Sequence, residues 1–140
     1  MAQPTKTATA KAKYVYAIGR RKTATARVRL FLKAGDWLVN DQAIAQYFPG
    51  EVARHYYSQP LKLLGKSETF SFTSRIVGSG KTAQLQAMVH GLSRALIKVD
   101  PAFKSPLKQA GFITRDSRMK QSRQIGTGGK ARRKKQSPKR

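Results

Sequence analysis

Apolar residues recur along this chain with two periods, one of two residues and one of three to four. Tyr14-Val15-Tyr16-Ala17-Ile18 is aromatic and β-branched and reads as a strand, because such side chains suit a pleated surface. Gly19-Arg20-Arg21-Lys22-Thr23 reads as a turn. Beyond it Ala26, Val28, Leu30 and Leu32 alternate with Arg27, Arg29 and Phe31, so one face packs inward and the other presents guanidinium groups. The pair predicts a hairpin with a cationic tip. Ala34-Gly35-Asp36 turns the chain into a short strand, Trp37–Asn40. Two short helices are expected next, Gln42–Phe48 ending before Pro49-Gly50 and Val52–Ser58 ending near Pro60. That proline can open a further turn, Leu61–Leu64, where its missing N–H is not needed. Glu68–Val77, with Phe70 and Phe72 alternating with Ser71 and Thr73, reads as a half-buried strand.

After Gly78-Ser79-Gly80 the period changes. Leu85, Met88, Val89, Leu92, Leu96 and Val99 return every three or four residues, the spacing of a helix with one buried side. Gln86, His90, Arg94 and Lys98 form a second stripe spaced by fours, which fits an RNA-lining face and a solvated face equally well. Asp100-Pro101 closes the helix, and a basic turn or short helix around Lys104–Gln109 follows. The expected architecture is α+β, a small antiparallel or mixed sheet backed by helices. Residues 14–113 form the globular domain, residues 1–13 a flexible basic arm, and residues 114–140 an extended basic tail.

Charge changes this picture more than composition does. The chain has 140 residues, 29 Lys and Arg against 6 Asp and Glu, and a net charge of +23. Most of the excess lies at the two ends, around a nearly balanced middle. From Thr114 onward only Met119, Ile125 and Ala131 offer apolar surface and Asp116 is the sole acid. Ordering such a segment costs roughly 1–2 kcal/mol of backbone entropy per residue, so its order is expected to come from a partner. Cationic side chains gain affinity for a polyanion by releasing condensed counterions. Nucleic acid is preferred to anionic membrane, because Gly126, Gly128, Gly129 and Pro138 interrupt the tail and no apolar stripe accompanies its charges. No stretch approaches the length of a spanning helix, and an intracellular aqueous location is expected.

Motifs for catalysis or cofactors are weak. Gly78-Ser79-Gly80-Lys81-Thr82 stands where a phosphate-cradling loop belongs, but Arg75 takes the place of the first P-loop glycine. Gly78, Gly80 and Ala83 fit a dinucleotide fingerprint slightly better, yet a doubly wound sheet does not fit in this length. The favoured reading is a tight turn that brings helix against sheet. The six carboxylates fall singly, His55 and His90 lie far apart, and there is no cysteine. No enzyme activity, metal or cofactor is expected. Arg20-Arg21-Lys22 near Tyr14 and Tyr16 is a stronger signal, since rings beside cations can stack on bases while the charges meet phosphates, although the two tyrosines fit core positions of a strand equally well. Lys130-Ala131-Arg132-Arg133-Lys134-Lys135 and the closing Lys139-Arg140 suit a thin chain threading between packed RNA helices.

Four stretches together resemble the small-subunit ribosomal protein S-nine family of the bacterial and organellar type. They are Gly19 to Val28, Gln59-Pro60-Leu61, His90-Gly91-Leu92-Ser93-Arg94-Ala95-Leu96, and Ala110 to Arg118 running on to Lys130-Ala131-Arg132-Arg133 and Lys139-Arg140. The resemblance implies a fold similar to the second domain of ribosomal protein S-five, with a long C-terminal tail. It implies a structural constituent of the small subunit, bound to the 3′ major domain of the rRNA in the head, beside neighbouring head proteins and not self-associating. Arg20, Arg21, Lys22, Arg27, His90, Arg94, Arg115, Arg118, Lys130, Arg132 and Arg133 would then be rRNA contacts. Lys139 and Arg140 would touch the anticodon stem-loop of peptidyl-site tRNA. The implied location is the cytoplasmic ribosome of a bacterium, or an organellar one. A non-ribosomal RNA chaperone or regulator is the alternative. Before the final Lys-Arg this chain has Lys135-Gln136-Ser137-Pro138 where the family usually has Pro-Gln-Phe-Ser.

Overall fold

The computed structural model describes residues 14–122 and 125–126. The N-terminal arm and the tail candidates Lys130, Arg132, Arg133, Lys139 and Arg140 lie outside the described residues. The expected α+β architecture is found, a five-stranded mixed sheet with helices on one face. Strand β1 (Tyr14–Arg21) pairs antiparallel with β2 (Ala24–Phe31), so that Gly19 faces Ala26, Arg20 faces Thr25 and Arg21 faces Ala24. The hairpin turn is therefore only Lys22-Thr23, with Lys22 at φ 51. Arg20 and Arg21, expected in the turn, sit on the strand instead and point to opposite sides of the sheet. Leu32, expected on the inward face, falls beyond the end of β2 and is exposed.

Strands β3 (Trp37–Val39) and β4 (Gln42–Ala43) form a second, tiny hairpin. Its two-residue turn is Asn40-Asp41, with φ of 48 and 65, the left-handed pair that a tight hairpin turn demands. This turn shortens the helix expected over Gln42–Phe48 to the single turn α1 (Ile44–Tyr47). Asn40 also extends the parallel pairing of β3 with β5 (Ser71–Val77). Its Oδ1 accepts from the Ile76 N–H at 2.8 Å and its Nδ2 donates to the Ile76 carbonyl at 3.1 Å. The strand order is β1-β2-β5-β3-β4, which leaves β1 and β4 as edges.

Helix α2 (Glu51–Leu63) runs through Pro60 rather than stopping before it. An interior proline costs about 3 kcal/mol, but Tyr57 and Leu61, one turn apart, are almost wholly buried. Burial of each stabilises by about 1.5–3 kcal/mol, enough to keep the helix intact. Helix α3 (Lys81–Val99) carries the expected core stripe, with Met88, Val89, Leu92 and Leu96 buried against Val28, Leu30, Phe72 and Ile76 of the sheet. Pro101–Phe103 then makes one 3-10 turn, and α4 (Lys104–Gln109) buries Leu107.

Where α3 crosses β1, two glycines meet. A methyl group on Gly19 would overlap the carbonyl oxygen of Ala87 and the backbone nitrogen of Gly91. One on Gly91 would lie 2.9 Å from the Gly19 nitrogen and 2.9 Å from a Val28 methyl. Ala17, Ala26, Ala87 and Ala95, all buried, keep the surrounding contact equally thin, so the helix lies backbone to backbone on the strand. At Gly78, φ 89 and a Cβ position 2.5 Å from the Thr23 carbonyl oxygen require glycine for a turn that packs on the hairpin. Lys81 folds away from that turn onto the Tyr47 ring, 3.2 Å from its centroid.

Overpacking in a well-filled interior costs about 1–3 kcal/mol and sometimes more. Gly19→Ala is expected to reach the top of that range, about 3 kcal/mol, because backbone atoms are the obstacle, and Gly91→Ala to cost about 1–3 kcal/mol. Urea unfolding midpoints test this; an unchanged midpoint for Gly19→Ala would mean the helix does not touch the strand.

Candidate nucleic-acid interface

The polar stripe of α3 has a definite task. Lys98 Nζ donates to the Tyr16 carbonyl at 2.7 Å, Arg94 donates to the Ile18 carbonyl, and His90 Nδ1 accepts from the Arg20 N–H at 3.3 Å. Four residues of helix rise about 6 Å and two residues of strand about 6.7 Å, so residues 98, 94 and 90 step along β1 nearly in register with residues 16, 18 and 20. Side chains of α3 thus satisfy three backbone groups, the Tyr16 and Ile18 carbonyls and the Arg20 N–H, on the outer edge of β1, which has no neighbouring strand among the described residues. Exposed edges invite unwanted pairing, and covering them is a common protection. The stripe read from the sequence as RNA-lining or solvated is first of all the lid of an edge strand. Its approach to the strand follows from the glycine contact beside it.

His90 is fixed from both sides. Because Nδ1 accepts from Arg20, Nε2 carries the proton and donates to the Ile113 carbonyl at 3.1 Å. Burial pushes its pKa below the ordinary value, the Ile113 carbonyl opposes the shift, and Arg94 and Arg115 reinforce it. The ring therefore stays neutral and joins β1 to the chain that leads into the tail.

That chain is anchored at further points. The Phe112 ring meets Tyr56 edge-on, centroids 6.3 Å apart, and burial raises the Tyr56 pKa. Arg21, turned toward the helices with its side chain 12% exposed, donates Nε to Gln86 at 2.8 Å and one Nη to the Arg118 carbonyl at 2.8 Å. Its other Nη pairs with Asp116 at 3.0 Å. Arg118 grips the same carboxylate at 2.9 Å and donates its own N–H to it at 3.0 Å. These bonds hold the Asp116 carboxyl well below the usual carboxylate range, hydrogen bonding from Arg118 being the main cause. Ile113 and the first residues of the tail, as far as Arg118, take their place from the body of the protein itself.

Around β1 the remaining cationic capacity collects in one groove of about 650 Å³, lined by Tyr16, Arg20, His90, Arg94, Lys98 and Arg115 among others. No carboxylate lines it among the described residues. Arg94 and Lys98 each spend one donor on β1 and keep the others, since a guanidinium has five N–H groups and an ammonium three. Of the residues singled out from sequence, Arg20, His90, Arg94 and Arg115 converge here. Arg21 and Arg118 lie in the adjoining recess with Asp116, Lys22 is exposed at the hairpin tip, and Arg27 is exposed on the open face of the sheet. Lys98 is an addition to that set, and its fours spacing with Arg94 was the signal for it. Among the described residues no group of three His, Cys, Asp or Glu converges as a metal site.

A cationic groove with no carboxylate in its lining suits a polyanionic ligand. The family model "Ribosomal protein S9/S16" matches residues 19–140. The small ribosomal subunit protein uS9 of Desulfovibrio desulfuricans is 42% identical over 114 residues, covering 81% of this chain and 88% of that protein. The chain belongs to the ribosomal protein S9 family, whose members are structural constituents of the small ribosomal subunit.

A histidine whose folded pKa is lowered is neutral in both states above about pH 6.5. As pH falls below that value the unfolded chain takes up a proton first, so stability declines until pH passes the folded pKa. Wild-type stability in urea is expected to fall between pH 6.5 and 5, and His90→Gln to remove that part of the slope. An identical slope in the variant would show that His90 is not held neutral between Arg20 and Ile113.

Proposed function

We propose that the protein binds the 3′ major domain of the small-subunit rRNA, in the head, through the groove along β1 and through its basic tail. The end of the tail, Lys139 and Arg140, contacts the anticodon stem-loop of peptidyl-site tRNA. The observation that carries the reading is the convergence of Arg20, Arg94, Lys98 and Arg115 on one side of β1 with no carboxylate lining the groove. Phosphates entering it meet Arg94 and Lys98 already tied to β1, so part of the side-chain entropy is lost before binding. Lys22 and Arg27 extend the cationic surface, whereas Arg21 and Arg118 act by holding the root of the tail. Beyond that root Lys130, Arg132 and Arg133 supply further phosphate contacts, and neighbouring head proteins complete the surroundings. The bacterial cytoplasmic ribosome is the corresponding location.

Each phosphate contact should add roughly 0.7–0.9 to the slope of log affinity against log salt. With an rRNA transcript of the head domain, Arg20→Gln/Arg115→Gln is expected to lower that slope by about 1.4–1.8. An unchanged slope would remove the groove from the interface. Deleting Lys139-Arg140 is expected to leave subunit assembly intact and weaken tRNA retention in the peptidyl site, measured by filter binding to purified subunits. Equal retention would end the tRNA assignment.

A further inference from the structure

Among the described residues the helices pack on one face of the sheet, and the other is left open except at Ser71, which the chain at Lys33 and Gly35 covers. Alternation places Tyr14, Tyr16, Ile18 and Arg20 of β1 on that open face. Arg27, Arg29 and Phe31 of β2 share it, opposite Arg75, Thr73 and Ser71 of β5. Tyr14 and Tyr16 keep 46% and 40% of their surface exposed, more than core packing would leave to an aromatic ring. Their spacing of two strand residues is about 6.7 Å, room for two neighbouring bases to lie on successive rings.

Charge on this face points to the occupant. Arg27 stands directly opposite Arg75 across the β2–β5 ladder, an arrangement of like charges that destabilises a sheet unless something neutralises it. Arg29 is paired in register with Tyr16, and its guanidinium lies 5.3 Å from the centre of the Tyr14 ring. One carboxylate approaches, Asp41, 3.6 Å from Arg75, and this pair is so exposed (86% and 77%) that it offsets little of the repulsion. At the β1 edge Arg20 belongs both to this face and to the groove, so the two surfaces are continuous.

We propose that the open sheet face is a second RNA surface, which takes a single-stranded segment by stacking bases on Tyr14 and Tyr16 while Arg27, Arg29 and Arg75 hold its phosphates. The inference rests on the reading that the protein binds rRNA and assigns it a second kind of contact, with exposed bases rather than with backbone alone. Aromatic rings on a sheet flanked by arginines are a recurrent means of holding unpaired RNA, because every base has a face to stack. A duplex keeps its bases stacked on one another and gains nothing from the tyrosines.

The full-length protein is titrated with an oligouridylate 12-mer and with the head-domain rRNA transcript. Tyr14→Leu/Tyr16→Leu is expected to weaken oligouridylate binding at least about fivefold per ring, and Tyr14→Phe/Tyr16→Phe, which keeps the rings, to bind as wild type. Arg29→Gln/Arg75→Gln is expected to lower the salt slope by about 1.4. All these side chains point to solvent, and urea midpoints confirm that the variants fold. Wild-type affinity in the leucine variant, with weakened binding in Arg20→Gln/Arg115→Gln, would overturn the sheet surface and leave the groove standing. Wild-type RNA affinity in the sheet variants combined with loss of incorporation into reconstituted subunits would also overturn it, marking the face as a protein contact. Failure of the wild-type protein to bind the transcript at all would remove both readings.

Discussion

Two glycines that leave no room for a side chain between them set the geometry of everything that follows. Gly19 on β1 and Gly91 on α3 bring two backbones into contact, and that approach puts His90, Arg94 and Lys98 within hydrogen-bonding reach of the strand edge. With a larger residue at either place the helix would stand off the sheet. The edge would then face water, and the cations would swing independently on long, flexible stems. The contact therefore does for function what it does for packing, turning a row of mobile charges into a rigid one.

Such rigidity has an electrostatic cost that the structure distributes. A net charge of +23 on 140 residues opposes compaction through self-repulsion. Part of it is absorbed where cations meet backbone carbonyls or Asp116, as Arg21, Arg94, Lys98 and Arg118 do. Among the described residues other cations face outward in the groove, at the hairpin tip and across the open face of the sheet, where a polyanion can neutralise them. Asp116 illustrates the division of labour. It is the sole acid of the last forty residues, and it pairs with Arg21 of the hairpin and Arg118 of the tail, fixing where the tail leaves the body.

Much of this was legible in the sequence, for identifiable reasons. Alternation announced β2, the three-and-four spacing of Met88, Leu92 and Leu96 announced α3, and the joint order of the basic and glycine motifs pointed to the family. What escaped was non-local. Gly19 read as part of a turn because nothing in its neighbourhood shows that Gly91 will arrive seventy-two positions later. The hairpin Asn40-Asp41 went unseen because it lacks the glycine that usually marks such turns. Pro60 looked like a stop because a local rule cannot weigh the burial of Tyr57 and Leu61. Equal odds for the Gln86-His90-Arg94-Lys98 stripe reflect the same limit, since its partner is the edge of a strand some seventy to eighty residues away.

The central claim is that α3 seals the edge of β1 in the protein by itself, before any RNA is bound. Amide hydrogen exchange of the isolated full-length chain tests it at one atom, the N–H of Arg20, which faces away from β2 and has His90 as its acceptor. The account predicts exchange slowed to a level comparable with the amides inside the β1–β2 ladder. Exchange at the rate of an unprotected amide, with the rest of β1 protected, would show that the helix does not cover the strand and would contradict the account.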